Sequence, residues 1–239
     1  YIRKELKNGR KVLYSGMACQ VEGLKSFLRK DYDNLYTIDL ICMGIPSYVV
    51  WQKYLAAFFG GEKIKNINFK EKSIGWDTFT FRVDTDKRIF KERGMHNLYL
   101  RSMFLSWNMR PSCFQCPFKN AKRISDFTLA DAWGVYHSTP DINDNKGLSS
   151  VIVHSNKGLD LWNILKDKID SFQVSIDDIA AGNSNLITNK PQTGDRKLFF
   201  ETLNVNSKEA FLNLCSIRKV PLKQRIKNKL IAMLSRFGA

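Results

Sequence analysis

The apolar positions near the start of the chain predict a strand, a helix and a second strand in close succession. Lys11 to Tyr14 is a short β-prone run that ends at Gly16, and Val21 to Lys30 carries apolar residues at helical spacing. Leu35 to Cys42 is a second apolar run rich in β-prone residues. A strand, a helix and a strand in so short a stretch predict a βαβ unit with two parallel strands.

The pattern then changes toward short alternating runs. Phe79, Phe81 and Val83 alternate with Thr80 and Arg82, which predicts a strand with one buried face in an antiparallel arrangement. That strand is placed at 78–83, and further strands are predicted at 64–69, 88–91, 127–130 and 150–154. Helices are predicted at 49–59, 96–107, 159–169, 196–203 and 208–215. The prediction is an α+β fold, with an N-terminal βαβ unit, then a mixed or antiparallel sheet with flanking helices and a basic C-terminal helix.

The C-terminal stretch has its own pattern, and we divide the chain into a domain at 1–216 and a helix at 217–239. Apolar residues recur at helical spacing after Pro221, and no acidic residue lies between Arg218 and Arg236. A short basic amphipathic helix follows. It could pack on the domain, lie on an anionic membrane surface or dock an acidic redox partner.

Composition narrows the class of protein. The 239 residues are 44% hydrophobic and carry a formal net charge of +15, without an apolar run long enough to span a membrane. The chain starts at Tyr1 without a secretory segment and resembles a piece cut from a longer protein, so we expect a cytosolic location. A positive field can attract nucleic acid, anionic lipid or acidic protein. The basic residues are widely spread, however, which equally suits a solvated surface, and we expect no nucleic-acid partner.

Four of the five cysteines form the strongest chemical signal. Cys19 and Cys42 follow the two predicted parallel strands and therefore belong to the same sheet edge, where open α/β sheets place ligands. Cys113 and Cys116 form a CxxC pair between prolines. Four thiolates suit an iron–sulfur cluster or a zinc ion, while ordinary buried cysteines remain the alternative without a ligand. Cys215 lies on an apolar helical stretch and is expected in the core.

Five short stretches, in one order, resemble the coenzyme F420 hydrogenase/dehydrogenase beta-subunit family. They are Gly16-Met17-Ala18-Cys19-Gln20, Asp39-Leu40-Ile41-Cys42-Met43-Gly44-Ile45-Pro46-Ser47, Cys113-Phe114-Gln115-Cys116, Ser125-Asp126-Phe127-Thr128-Leu129-Ala130-Asp131-Ala132-Trp133-Gly134 and Lys146-Gly147-Leu148-Ser149. Met17-Ala18 replaces the family's Thr-Pro, Met43 replaces its His, and Ala130 replaces its Gly. Because the four cysteines are kept, these departures hardly affect the assignment of the cluster. They put the identity of the substrate in question.

The resemblance implies an oxidoreductase that passes electrons between FAD and a 4Fe-4S cluster, with coenzyme F420 not claimed as its substrate. It implies a ferredoxin-like segment or protein as electron donor, a small-molecule substrate and, for some bacterial relatives, a setting in surface-polysaccharide synthesis. The cluster ligands it implies are Cys19, Cys42, Cys113 and Cys116. Its flavin-side candidates are Asp131, Trp133, Gly134, Lys146, Gly147 and Ser149.

Overall fold

The N-terminal segment forms the predicted βαβ unit, preceded by one short helix. The computed structural model describes residues 1–133, 144–192 and 195–216. Helix α1 (Ile2–Lys7) leads to β1 (Val12–Met17), α2 (Ala18–Leu28) and β2 (Leu35–Leu40). Strands β1 and β2 are parallel, in register from Val12↔Leu35 to Met17↔Leu40. Helix α1 was not predicted, and it is held because Leu6 packs in a small core with Leu28 and Leu35.

A larger core lies between a second sheet and several helices. Helix α3 (Tyr48–Phe59) precedes the antiparallel strands β3 (Ile64–Glu71), β4 (Thr80–Thr85) and β5 (Ile89–Arg93). Phe79, Phe81 and Val83 are buried as the alternation predicted. Aromatic rings from helices and strands fill this core, among them Tyr54, Tyr99, Phe199 and Phe211. Such rings bury large apolar areas, so this core supplies most of the hydrophobic stabilisation.

The helix that leads to the CxxC pair is shorter than predicted. Helix α4 spans Leu98–Phe104 rather than 96–107. The Asn97 side chain accepts a hydrogen bond from the Leu100 N–H and so begins the helix there. Ser106, at φ +64°, turns the chain out of the helix.

Two later strands complete the first sheet, in the order β1-β2-β6-β7. Strand β6 (Phe127–Asp131) is parallel to β2, with Leu40 opposite Leu129. Strand β7 (Ser149–Val153) is antiparallel to β6. The ends of β1, β2 and β6 and the start of β7 therefore meet at one side of the sheet, which we call the carboxyl edge.

The rest of the described chain alternates helices with irregular segments. Its helices are α5 (Asn156–Leu165), α6 (Ile176–Gly182), α7 (Arg196–Val205) and α8 (Ser207–Glu209), which continues as a π-helical turn, Ala210–Leu214. Helix α6 was not predicted, and it begins at a capping box between Ser175 and Asp178. Cys215 is fully buried, as expected of a core residue. The predicted C-terminal helix at 217–239 lies outside the described residues. Among the residues that the structure describes, no helix is long and apolar enough to cross a membrane.

Candidate functional site

Four cysteines from three separate segments line one cavity beside the carboxyl edge. Cys19 lies in the first turn of α2, Cys42 follows β2, Cys113 lies in a 3₁₀ turn (Pro111–Gln115), and Cys116 follows that turn. The cavity measures about 400 Å³ including its open mouth. None of these thiols is in a disulfide, and Cys19 is exposed whereas the other three are half-buried.

Backbone contacts hold the CxxC segment against the loop that carries Cys42. The Ile45 N–H donates to the Cys113 Sγ at 3.4 Å, and the Arg110 N–H donates to the Ile45 carbonyl at 2.8 Å. The other cysteine of the pair is held by a later segment of the chain, since the Cys116 N–H donates to the Asn189 Oδ1 at 3.1 Å. The positions of Cys113 and Cys116 are thus fixed by hydrogen bonds to residues distant in the sequence.

Gly44 allows the close approach of these two segments. Its φ of +148° is one that side-chain-bearing residues rarely adopt. A Cβ there would lie 2.4 Å from the Met109 Sδ and 3.4 Å from the Cys113 Cβ. Since Met109 is fully buried, it has little room to move aside.

We therefore expect Gly44→Ala to lower the free energy of unfolding by about 1–3 kcal/mol, from backbone strain and the clash with Met109. Urea unfolding followed by circular dichroism measures this change. Gly23→Ala is the matched control, because a Cβ at this helical glycine meets nothing within 4 Å, and it should stabilise slightly. Equal stability of the two variants would contradict the role given to Gly44.

The charges around the cavity act on one another. Burial raises the pKa of the Cys42 thiol, and nearby Cys113 and Cys19 raise it further, while a backbone hydrogen bond from Gly44 and the charge of Lys119 oppose this. Burial lowers the pKa of Lys119, against the effect of Cys42 and Cys116. These mutual effects place the thiols and the ammonium group within electrostatic reach of one another.

The donor set fits a polynuclear group. Within residues 1–133, 144–192 and 195–216, no three His, Cys, Asp or Glu side chains are grouped so that they could hold one metal ion. That finding concerns donors that converge on a single ion, whereas the thiolates of a 4Fe-4S cluster surround a core several ångströms wide. Four thiols facing one cavity are the ligand type and number that such a cluster takes.

The two stretches proposed for the flavin lie side by side at the carboxyl edge. Asp131 and Ser149 are paired across β6 and β7, and the Ala132 N–H donates to the Leu148 carbonyl at 2.9 Å. Lys146 is exposed and forms an ion pair with Asp144 at 3.2 Å. Gly134 lies outside the described residues. The edge therefore brings Asp131, Lys146 and Ser149 into one region.

Three of the flavin-side candidates are engaged with Trp76, which sequence reasoning did not single out. The Trp133 ring stacks on Trp76 with centroids 4.1 Å apart and an interplanar angle of 7°. Asp131 accepts from the Trp76 Nε1 at 3.4 Å and pairs with the Lys70 Nζ at 2.8 Å. Gly147 has φ +107°, and a Cβ there would lie 2.9 Å from the Trp76 Cδ1. Trp76 thus holds this edge together through its contacts with Asp131, Trp133 and Gly147.

A buried ion pair lies next to the cysteine cavity. The Arg123 Nη1 is 3.2 Å from the Asp39 Oδ1, with the two side chains 4% and 2% exposed. Asp39 also accepts from the hydroxyls of Ser125 at 2.8 Å and Thr128 at 2.7 Å. The Thr128 hydroxyl lies 2.8 Å from the His154 Nε2. Asp39, the first residue of the motif that contains Cys42, therefore anchors an arginine of the cavity wall.

His154 should make stability depend on pH. Burial lowers its pKa, and Arg123 lowers it further, although Asp39 and Asp126 act in the opposite direction. The unfolded chain then binds more protons than the folded chain between this lowered pKa and the ordinary value near 6.5. The free energy of unfolding should therefore fall as the pH drops below about 6.5.

Denaturant unfolding between about pH 5 and 7.5 tests this expectation. The His154→Gln variant should lose most of the slope in that window, whereas His96→Gln, at an exposed histidine, should keep it. An unchanged slope in His154→Gln would assign the pH dependence to other groups.

Sequence reasoning singled out the four cysteines that line this cavity and missed most of their surroundings. Arg123 and Asn189 come from segments that carry no recognisable pattern. Lys119 follows Cys116 by three positions, the same spacing that separates the two cysteines of the pair, and this is a signal that could have been used. Met43, where the family has His, forms part of the cavity wall.

Comparison with known proteins gives a family match over most of the chain. The family model for the C terminus of the coenzyme F420 hydrogenase/dehydrogenase beta subunit matches residues 9–176. A chain of the F420-reducing NiFe hydrogenase complex from Methanosarcina barkeri is similar in structure, with 15% identity and a TM-score of 0.45. The likeness covers 85% of this chain and 66% of the hydrogenase chain. This chain therefore spans just under two thirds of the length of the hydrogenase chain. The comparison with curated proteins found no match.

Proposed function

Because this chain belongs to the family of coenzyme F420 hydrogenase/dehydrogenase beta subunits, matching its C-terminal part, we propose that it holds a 4Fe-4S cluster and exchanges electrons with FAD. The observation that carries the proposal is that Cys19, Cys42, Cys113 and Cys116 line one cavity. Membership in the family supports an oxidoreductase-related role, and the thiols supply the ligand set.

In this proposal the chain's own residues bind the centre and shield it. The four cysteine thiolates are the ligands. Met17, Met43 and Phe118 line the same cavity and exclude water from it. The Ile45 N–H, which donates to the Cys113 Sγ, tunes the centre, since hydrogen bonds to the sulfurs affect its potential. When bound, a cluster carries one electron at a time and a flavin takes up two and releases them singly.

The flavin is proposed to lie along the carboxyl edge beside the cysteine cavity. Strands β1, β2 and β6 end at this edge, and ligands of open α/β sheets bind outside such ends. Ser149 starts β7 there, and the exposed Lys146 is the cation proposed to meet a flavin phosphate. The proposed partners are a ferredoxin-like segment or protein as electron donor in the cytosol, and a small-molecule substrate.

Anaerobic reconstitution tests the cluster. The chain, supplied with iron and sulfide, should take up about four of each and absorb broadly near 400 nm, as expected of thiolate–iron charge transfer. Metal analysis of the protein as purified without oxygen should agree. A chain that takes up zinc in place of iron, or no iron at all, would overturn the proposal.

Lys146→Ala tests the flavin position. Loss of one exposed cation near a phosphate should weaken FAD binding about two- to fivefold, measured by quenching of flavin fluorescence. Lys168→Ala, at an exposed lysine in the turn after α5, is the control and should leave the affinity unchanged. An unaltered affinity in Lys146→Ala would remove Lys146 from the flavin site.

A further inference from the structure

The cavity wall carries two cationic side chains in addition to its four thiols. Lys119 and Arg123 both line it, and they come from the segment between the CxxC pair and β6. A positive side chain beside a small cavity costs free energy unless a partner there stabilises its charge, because burial disfavours charge. Each of the two is also held in place by specific partners.

Lys119 is held by two backbone carbonyls. Its Nζ donates to the carbonyl oxygen of Cys42, and to that of Asn185 at 3.0 Å. The first contact ties the ammonium group to the residue that carries one of the four thiols. The second contact ties it to a different part of the chain. A lysine held from two sides keeps its charge at the cavity rather than in solvent.

Arg123 is held by the buried carboxylate of Asp39. Its Nε also donates to the Asn120 carbonyl at 3.1 Å. Because Ser125 and Thr128 donate to the same carboxylate, Asp39 itself is fixed in orientation. The guanidinium group is therefore a rigid part of the cavity wall.

We propose that Lys119 is a positioning residue that raises the reduction potential of the centre held by the four cysteines, whereas Arg123, whose charge Asp39 offsets, makes the wall around it rigid. The inference rests on the proposed function. Four thiolates outweigh the charge of the iron core, so the loaded centre is an anion, and each electron that enters makes it more negative. Fixed positive charges nearby stabilise the reduced form more than the oxidised form. No bond forms or breaks at either side chain, and the electron comes from the reduced flavin or ferredoxin-like donor.

The test is a redox titration of the reconstituted chain followed by electron paramagnetic resonance. Lys119→Met removes the charge and keeps an apolar stem. It should disfavour reduction by about tenfold, a drop of about 59 mV in midpoint potential for one electron. Lys122→Met, an identical change at a neighbouring exposed lysine, should shift the potential by less than a third of that.

Each outcome bears on a different claim. A Lys119→Met chain that binds iron with an unchanged potential, or with the same shift as Lys122→Met, overturns the inference and leaves the proposed function standing. A parental chain without iron overturns the proposed function and this inference with it. If Lys119→Met loses the cluster, Lys119→Arg should keep both cluster and potential, because it keeps the charge. Loss of the cluster in Lys119→Arg as well would show a purely structural role and overturn the inference.

Discussion

The Cys42→Ser variant is expected to lose its iron after anaerobic reconstitution, from about four atoms per chain to less than one. Cys42 is half-buried in the wall of the cavity and lies within electrostatic reach of both Cys19 and Cys113. A serine hydroxyl has nearly the same shape but does not supply the thiolate that an iron–sulfur cluster requires. Colorimetric iron and sulfide analysis, with the visible absorbance, measures the loss.

Cys215→Ser is the matched control for this prediction. Cys215 is the fifth cysteine, fully buried in the aromatic core and away from the cavity lining. Its replacement puts a hydroxyl into an apolar site, so it should lower stability while the iron content stays near that of the parent. If Cys42→Ser keeps its full iron content, or if Cys215→Ser loses as much, the assignment of the ligands is wrong.

A second large effect is expected from Asp39→Ala. The variant should lose about 3–5 kcal/mol of the free energy of unfolding, because it leaves the Arg123 guanidinium buried without its carboxylate. The hydroxyls of Ser125 and Thr128 lose an acceptor at the same time. Urea unfolding at neutral pH measures this loss.

An exposed ion pair on α7 provides the comparison. Glu201 lies 3.8 Å from Lys197, with the two side chains 61% and 88% exposed, and Glu201→Ala should change stability by less than about 0.5 kcal/mol. A similar small effect for Asp39→Ala would mean that water reaches Arg123 once the carboxylate is gone.

The sequence predicted those parts of the fold that depend on local pattern. The apolar runs around β1, α2 and β2 have the correct periods, and the parallel pairing follows from them. The placement of Cys19 and Cys42 at one edge follows in turn, because parallel strands end on the same side. The buried face of β4 was likewise visible in the alternation from Phe79 to Val83.

The remainder depends on contacts between distant residues. The stacking of Trp76 on Trp133 joins a loop before β4 to the residues after β6, and neither sequence neighbourhood indicates it. The partners of Lys119 are carbonyl groups, which every residue has, so no residue type marks them. Helix α1 is too short for a reliable period and is stabilised by packing against α2 and β2 rather than by propensity.

The contact between the Ile45 loop and the CxxC segment has a consequence for folding. It joins the loop after β2, in the first sheet, to a segment that follows the second sheet and α4. A group bound by all four thiols would close two long loops of the chain, and closing such loops removes conformational entropy from the unfolded state. Its binding free energy would then count as folding free energy. Resistance of the chain to proteolysis would rise with cluster loading and fall on exposure to oxygen, so the proposed centre would also tie the first sheet to the CxxC segment.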